Sequence, residues 1–140
     1  MVKLRVRKSS SAILPTYATD GSACFDFYSC KDILLERSRV ARVPTGLAVE
    51  IPEGYFLEIR PRSGLASKGI VLVNSPATID SDYRGEVVIL LASLYETWMV
   101  LRGDRVAQGR LVKSESTVFE LVEELTETSR GEGGFGSTGR

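Results

Sequence analysis

Short stretches in which apolar and polar residues alternate, separated by turns rich in Pro and Gly, recur along this chain. The alternation in residues 2–7 and 55–60 is typical of half-buried strands, with the odd-numbered residues of the second stretch facing the core. The Pro-Thr-Gly and Pro-Glu-Gly triplets at 44–46 and 52–54 predict turns between successive antiparallel strands. Residues 119–126 fit either a helix or a strand, and no other stretch keeps a helical period beyond about two turns. We therefore predict an all-β fold.

Length and charge narrow the class of protein. At 140 residues the chain is long enough for one domain with a buried core. Its 18 basic and 18 acidic residues cancel, so no overall field draws it to nucleic acid or to a membrane. It begins without an apolar signal core and has no run of the roughly 18 apolar residues that span a bilayer. We expect a soluble intracellular protein with no nucleic-acid or membrane partner.

The chemistry open to the chain is restricted because it contains no histidine. Histidine acid–base catalysis and histidine metal ligands are thereby excluded. Cys24 and Cys30 would lie about 20 Å apart on an extended segment, so neither a disulfide nor a zinc site is expected. Any metal is then a hard ion bound through carboxylates, phosphates and water, and any catalytic base is Asp or Glu.

Residues 74–87 place two acids, a tyrosine and an arginine close together, at Asp80, Asp82, Tyr83 and Arg84. Polar turns carried by rigid strands often hold binding and catalytic groups. The alternative is a solvated hairpin tip, although such a tip rarely needs this combination of side chains. The segment is therefore the first candidate for a functional site.

An unbroken apolar run, residues 87–91, follows this turn. Such a strand is apolar on both faces, yet the chain has no long helix to cover a second face of the sheet. Either the interior of a sandwich or a subunit interface would bury it. The continuous pattern favours an interface.

Polar groups interrupt the strand pattern in three further places. Asp26, between two phenylalanines, either points to solvent, the commoner case, or lines a polar site. Gln108 stands where an inward apolar residue would fit. Residues 63–68 fit a short helix capped by Ser63. The free backbone amides at the start of such a helix, together with the side chain of Arg62, favour binding of an anion such as phosphate. The alternative is a serine cap beside a solvated arginine.

The end of the chain, residues 129–140, contains five glycines and one aromatic residue, Phe135. Such a segment cannot pack a core and is expected to be mobile when free. A disordered terminus is the simplest interpretation. Glycine amides nevertheless approach phosphates closely, Arg130 and Ser137 offer donors, and Phe135 offers a stacking face. We divide the chain into a domain, residues 1–128, and this flexible tail.

In order, these segments resemble the five motifs of the trimeric dUTP pyrophosphatase (dUTPase) family. The counterparts are residues 23–29, 60–68, 74–86, 103–108 and 130–139. The Ser-Gly-Leu-Ala string is weak by itself, whereas residues 79–85 and 133–139 are highly specific. The resemblance implies a jelly-roll-like β-barrel and a homotrimer with three active sites between subunits.

The resemblance also implies hydrolysis of dUTP to dUMP and pyrophosphate, with magnesium (Mg2+) on the triphosphate. Asp80 would hold and polarise the attacking water, and Tyr83 would lie against the deoxyribose and exclude a 2′-hydroxyl. Asn74 and the backbone near Thr78 would read the uracil edge, and Asp26 would meet the magnesium through its water shell. The remaining implied substrate contacts are Arg62, Ser63, Gly64 and Gln108 near the phosphates, Arg130, Gly136, Ser137 and Thr138 in a closing lid, and Phe135 stacked on the base.

Four departures from the family pattern stand out: Cys24 and Ala77 where Gly is usual, Ser93 where Asn is frequent, and Gly109-Arg110 in place of an apolar pair. None removes an implied catalytic group. They leave open the backbone shape at the base pocket and the packing of the strand after Gln108. Two alternatives remain. One is the related dCTP deaminase family, which lacks the Phe-Gly-Ser-Thr-Gly tail, and the other is a dUTPase-like regulatory binding protein.

Overall fold

The computed structural model describes residues 1–139, and within them the chain forms eleven strands and one short helix. In chain order these are β1 (Arg5–Lys8), β2 (Thr16–Tyr17), β3 (Phe25–Tyr28), β4 (Ile33–Leu35), β5 (Val40–Glu50), β6 (Tyr55–Arg60), α1 (Ser63–Ala66), β7 (Ile70–Leu72), β8 (Ala77–Ile79), β9 (Glu86–Ser93), β10 (Trp98–Val100) and β11 (Arg105–Lys113). A four-stranded sheet has the order β1-β5-β9-β7, and a five-stranded sheet has the order β2-β3-β11-β6-β8. A two-stranded sheet pairs β10 with β4.

The two larger sheets share one hydrophobic core. Val43 and Ile89 from the four-stranded sheet, and Phe27 and Leu57 from the five-stranded sheet, belong to the same buried cluster. Such a shared core is typical of sheets packed face to face, in which inward residues alternate with outward ones along each strand. The prediction of an all-β, jelly-roll-like fold is confirmed.

The prediction of a turn at residues 44–46 is wrong, because β5 continues through all three residues. A shift in the register of β5 against β9 absorbs them as an irregularity inside the strand. Gly46 has a φ of 69°, a conformation that glycine adopts without strain. The buried hydroxyl of Thr45 donates to the carbonyl oxygen of Val87 at 2.6 Å and ties this stretch to β9. The second predicted turn, at 52–54, is correct because it separates β5 from β6.

Both ends of the chain contain less regular structure than their patterns predicted. β1 begins at Arg5, where pairing with β5 begins, and Val2 lies outside the strand with 49% of its surface exposed. Residues 119–126 form neither a helix nor a strand, and all of them are exposed, so no buried face stabilises either structure. The last strand ends at Lys113. The division of the chain after residue 128 stays a prediction.

Strand β9 shows how the apolar run is buried. Val87, Ile89 and Leu91 are buried in the core of this one chain, whereas Val88 and Leu90 point the other way and are half-buried. The sandwich interior therefore accounts for one face of the strand. The prediction of a subunit interface now depends on the outward face. Among residues 1–139, no helix is long and apolar enough to span a membrane.

The Gly109-Arg110 departure is matched by its neighbours. A Cβ at Gly109 would lie 2.6 Å from the ring of Phe27, so the aromatic side chain fills the space that a larger residue would need. Arg110 Nε lies 2.9 Å from Oε1 of Glu58, and Arg60 Nε lies 2.6 Å from the same oxygen. The hydrogen bond from Arg60 is the main reason that the pKa of the Glu58 carboxyl lies below its ordinary value. Desolvation opposes it, and the hydrogen bond from Arg110 and the charges of both arginines add to the lowering.

The other departures lie in ordinary surroundings. Ser93 is buried, and its hydroxyl donates to the carbonyl oxygen of Glu96. Ala77 is a half-buried residue of β8. Cys24 is half-buried, and it and the buried Cys30 are free thiols.

Candidate active site

The connection between β8 and β9 carries the two acids, the tyrosine and the arginine of the first candidate segment. β8 pairs with β6 in the five-stranded sheet, whereas β9 pairs with β5 and β7 in the four-stranded sheet. Residues 80–85 therefore form a corner between two sheets, and the interpretation as a hairpin tip is wrong. The ring of Tyr83 packs on Gly85 so closely that a Cβ there would lie 2.3 Å from its hydroxyl oxygen. That hydroxyl donates to the carbonyl oxygen of Glu86 at 3.0 Å and orients the ring.

A cavity of about 250 Å³, which we term the corner cavity, lies beside this connection. Four of the residues predicted to contact substrate or water line it together: Asn74, Thr78, Asp80 and Tyr83. The other lining residues are Arg42, Ile79, Glu86, Val88 and Leu90. Its volume is below the roughly 300–1,000 Å³ of typical ligand pockets. The cavity in one chain is therefore suited to part of a nucleotide and not to the whole.

The polar groups of the corner cavity differ in whether the chain already satisfies them. Oε1 of Glu86 accepts the backbone amide of Gly46 at 2.7 Å, and the hydroxyl of Tyr83 is bonded as described. Within residues 1–139, no side-chain hydrogen bond or ion pair is made by Arg42, Asn74 and Asp80. A guanidinium, an amide and a carboxylate are thus free to meet a ligand.

A second polar group assembles on the five-stranded sheet because of its register. Asp26 on β3 pairs with Gln108 on β11, and Gln108 pairs with Arg60 on β6, so the three side chains share one row and one face. The chain leaves β6 after Arg60, which brings Arg62 to the same row. Nε of Arg62 lies 3.2 Å from Oδ1 of Asp26, and Nε of Arg105 lies 3.6 Å from Oδ2.

We term Asp26, Arg62, Arg105 and Gln108 the sheet cluster. The side chain of Asp26 is 10% exposed, so the interpretation that it points to solvent is wrong and it lines a polar site. Two guanidinium groups pair with this carboxylate and offset the free-energy cost of burying it. Nε2 of Gln108 donates to the carbonyl oxygen of Pro61 at 2.9 Å, which fixes the orientation of its amide.

The short helix follows Arg62 directly and spans Ser63–Ala66, less than the residues 63–68 that were predicted. The predicted serine cap is wrong, because Arg62 occupies the N-cap position and no side chain caps the helix. The carbonyl oxygen of Arg62 accepts the amides of the last two helical residues. Ser63 and Gly64 are exposed, and their amides have no partner within the helix.

The corner cavity and the sheet cluster are separated within one chain. Asp80 lies one residue beyond β8, two strands across the sheet from Gln108 and four residues back toward the start of β6. At about 4.8 Å per strand and 3.3 Å per residue, the two Cα atoms are roughly 16 Å apart. No member of the sheet cluster lines the corner cavity.

The tail residues make hydrogen bonds within the tail. Nε of Arg130 donates to the carbonyl oxygen of Gly133 at 2.8 Å, and the amide of Ser137 donates to the carbonyl oxygen of Gly134 at 3.0 Å. Phe135 is fully exposed, and Gly136 and Thr138 are exposed as well. Up to residue 139, the tail does not line the corner cavity or bond to the sheet cluster.

Sequence analysis missed two arginines that the structure brings to these sites. Arg105 closes over Asp26 from β11, and its position inside the fourth motif was the available signal. Arg42 lines the corner cavity from near the start of β5. It carries no local signal, because only the pairing of β5 with β9 places it beside Leu90.

The whole chain is similar to known proteins in sequence. The dUTPase family model matches residues 10–139. The chain is 45% identical over 146 residues to the deoxyuridine 5'-triphosphate nucleotidohydrolase of Anaplasma marginale, with 99% of each chain covered. It is 47% identical over 144 residues to the protein of the same name from Wolinella succinogenes, with 99% of this chain and 95% of the relative covered.

Solved structures agree with this assignment. The dUTPase of Staphylococcus bacteriophage 80alpha with dUPNHPP has a TM-score of 0.91 and 27% sequence identity, with 100% of both chains covered. A mutant dUTPase from phage phi11 of S. aureus, described with a structural Mg(II) ion, has a TM-score of 0.80 and 27% identity over 88% of this chain and 98% of that chain. The chain therefore belongs to the dUTPase family.

Proposed function

We propose that this protein hydrolyses dUTP to dUMP and pyrophosphate, which limits uracil in DNA and supplies dUMP for thymidylate synthesis. The observation that carries the proposal is the corner cavity, which gathers Asn74, Thr78, Asp80 and Tyr83. The names of the relatives support dUTP as the substrate, as does the dUPNHPP in the bacteriophage 80alpha structure.

The corner cavity receives the nucleoside end of the substrate. Asn74 and the backbone near Thr78 pair with the uracil edge, so cytosine is rejected because it would leave buried polar groups unpaired. The small volume of the cavity rejects the methyl group of thymine. The ring of Tyr83, held by its contact with Gly85 and its bond to Glu86, lies against the deoxyribose and blocks a 2′-hydroxyl.

Asp80 supplies the base for the reaction. Carboxylates are ionised at neutral pH, and this one is exposed and unpaired within residues 1–139, so it is available to orient a water molecule. The water oxygen bonds to the α-phosphorus, and the bond from that phosphorus to the oxygen bridging the α- and β-phosphates breaks. Pyrophosphate leaves with the bonding electron pair, and a proton of the water passes to Asp80.

The sheet cluster and the start of the helix receive the phosphates. Arg62, Ser63 and Gln108 offer donors, and Asp26 is the one carboxylate among them. Residues 1–139 contain no group of three or more side chains able to hold a metal ion. This donor set fits a magnesium ion that keeps its waters and is carried by the substrate phosphates, with Asp26 reached through water. When bound in this way, magnesium would supply positive charge against the phosphoryl oxygens.

A complete site requires more than one copy of the chain. The two polar groups are roughly 16 Å apart by register, and the corner cavity is too small for a whole nucleotide. We propose a homotrimer in which the corner cavity of one chain faces the sheet cluster of another. The outward face of β9, at Val88 and Leu90, lies at this contact.

The tail completes the site as a lid. Because the tail is rich in glycine, ordering it without a ligand would cost much conformational entropy. Contacts with the substrate therefore hold it closed. Arg130, Ser137 and Thr138 meet the distal phosphates, and Gly136 lets the backbone approach them. Phe135 stacks on the uracil, a contact that contributes roughly 1–3 kcal/mol in other base–aromatic pairs.

A direct test is to incubate the purified protein and magnesium with each deoxynucleoside triphosphate, and separately with UTP, and to measure pyrophosphate. We expect fast release from dUTP and little from dCTP, dTTP or UTP, with a trimer by light scattering. Ammonia release from dCTP would instead indicate a deaminase. Absence of pyrophosphate from every nucleotide would contradict the proposed reaction and favour a regulatory binding protein, and a monomer would contradict the assembly.

A further inference from the structure

Arg42 reaches the corner cavity from the outward face of β5. It lies on β5 opposite Leu90 of β9, and the next residue, Val43, points into the core. Arg42 therefore belongs to the outward face of the four-stranded sheet. From there it lines the same cavity as Asp80 and Tyr83.

The guanidinium of Arg42 differs from the four paired guanidinium groups of the five-stranded sheet and its connections. Arg62 and Arg105 pair with Asp26, and Arg60 and Arg110 pair with Glu58. Across residues 1–139, Arg42 makes no such pair, although it shares a small cavity with a carboxylate. An arginine remains charged at any pH that a protein tolerates, and its planar group donates well to phosphate oxygens. Arg42 is thus a charged donor left for a ligand.

We propose that Arg42 donates hydrogen bonds to the α-phosphate of the nucleotide and stabilises the charge that develops there during hydrolysis. This inference rests on the proposed function. In a productive complex, the attacking water and the α-phosphorus are about 3–3.5 Å apart. Because Asp80 holds that water, the α-phosphate lies at the part of the corner cavity that Asp80 and Arg42 line together.

Two other targets for the guanidinium fit the structure less well. The uracil edge is neutral and is already met by Asn74 and the backbone near Thr78, whereas a charge-assisted bond to phosphate is about twice as strong as a neutral one. A direct pair with Asp80 would occupy the carboxylate that must orient water. Among residues 1–139, the guanidinium of Arg42 has no carboxylate oxygen within 4.0 Å.

The test compares Arg42→Met and Arg42→Lys with the unmodified protein, and Arg39→Met serves as a control. Arg39 lies just before β5, where its side chain is 77% exposed and pairs with Glu36. Calorimetry with two ligands isolates the α-phosphate, because dUMP carries it and deoxyuridine does not. We expect Arg42→Met to weaken dUMP binding by at least about tenfold and to leave deoxyuridine binding unchanged. Its kcat for dUTP should fall about 10²-fold, as when one donor to a developing anion is lost.

Arg42→Lys keeps the charge without the planar fork, so its dUMP affinity and kcat should lie between those of the Met variant and the unmodified protein. It also carries the test if Arg42→Met fails to fold or assemble, which melting and light scattering would show. Equal loss of dUMP and deoxyuridine binding would overturn the proposal and assign Arg42 to the base pocket. Unchanged dUMP binding and kcat would overturn it as well. Failure of the proposed function is separate, because it would show as no pyrophosphate release by the unmodified protein.

Discussion

The corner cavity and the sheet cluster hold similar side chains, yet the chain treats them in opposite ways. In the sheet cluster, the carboxylate of Asp26 meets two guanidinium groups at 3.2 and 3.6 Å, and the amide of Gln108 is bonded to the backbone. In the corner cavity, Asp80 and Arg42 line one space without a partner in residues 1–139. Paired groups are held in place before a ligand arrives, whereas unpaired groups are available to react. We infer that the cluster orients the phosphates and that the cavity performs the chemistry.

The largest expected effect is at the unpaired carboxylate. Asp80→Asn keeps the shape of the side chain but removes the base, so turnover of dUTP should fall by about 10²–10⁴-fold. Melting temperature, assembly and affinity for a non-hydrolysable dUTP analogue should be nearly unchanged, because Asp80 is exposed. Steady-state rates, light scattering and analogue titration check each part. Asp20→Asn, in an exposed loop, is the control. Normal turnover by Asp80→Asn would refute the water-activating role of Asp80. Unfolding of the Asp80→Asn variant would show that Asp80 has a structural role instead.

A smaller effect on rate, joined by an effect on stability, is expected in the sheet cluster. Asp26→Asn removes the charge between Arg62 and Arg105, so the free energy of unfolding should fall by roughly 1–3 kcal/mol. The magnesium concentration needed for half-maximal activity should rise, since the remaining amide holds the hydrated ion less well. Denaturant unfolding and a magnesium titration measure the two effects. A variant as stable as the unmodified protein, with the same magnesium requirement, would remove the contrast between the two regions.

Selectivity for the sugar tests the neutral side of the corner cavity. Tyr83→Ala opens the space beside Gly85, so kcat/KM for dUTP divided by kcat/KM for UTP should fall by about tenfold or more. Tyr83→Phe is the matched control, because it keeps the ring and loses only the hydrogen bond to Glu86. It should keep most of the preference. An unchanged ratio in the alanine variant would show that another group excludes the 2′-hydroxyl.

The smallest effect is expected at Glu58, which lies outside both regions. Its pKa is lowered by the hydrogen bonds from Arg60 and Arg110, so the ionised form is favoured in the folded state. The resulting stabilisation is present above the unfolded value of 4.5 and is lost as the pH falls through the lower folded value. Glu58→Gln should therefore melt slightly below the unmodified protein at neutral pH, and the gap should close in acid. A gap independent of pH would show that charge is not its cause.

Local patterns predicted the parts of the fold that local chemistry decides. The facing of β6 and the turn at 52–54 follow from alternation and turn residues. The triplet at 44–46 did not end a strand, because a partner distant in sequence, Val87, accepts the hydroxyl of Thr45 and keeps the chain extended. Whether a Pro-Thr-Gly triplet turns or bulges is thus decided by a neighbouring strand, which a single stretch of sequence does not contain.

The candidate site divides in the same way. The family motifs predicted four of the residues that line the corner cavity, including Asp80 and Tyr83. The pairing of Asp26 with two arginines, and the position of Arg42 in the corner cavity, depend on the register of separate strands. Side chains without a motif become visible only when strands are placed side by side.

In the irregular stretch of β5, Gly46 is bonded both to a residue of the corner cavity and to the loop around Ser9. The backbone amide of Gly46 donates a hydrogen bond to the carboxylate of Glu86, which lines the corner cavity. The carbonyl oxygen of Gly46 accepts a hydrogen bond from the amide of Ser9 at 2.9 Å. A Cβ there would lie 2.4 Å from the hydroxyl oxygen of Ser9 and 2.9 Å from Cβ of Ala12, on a backbone of positive φ. Selection for a folded chain and selection for an active one therefore act on the same backbone atoms. We therefore expect residue 46 to tolerate no substitution, and a change of length in the loop around Ser9 to be transmitted to the corner cavity.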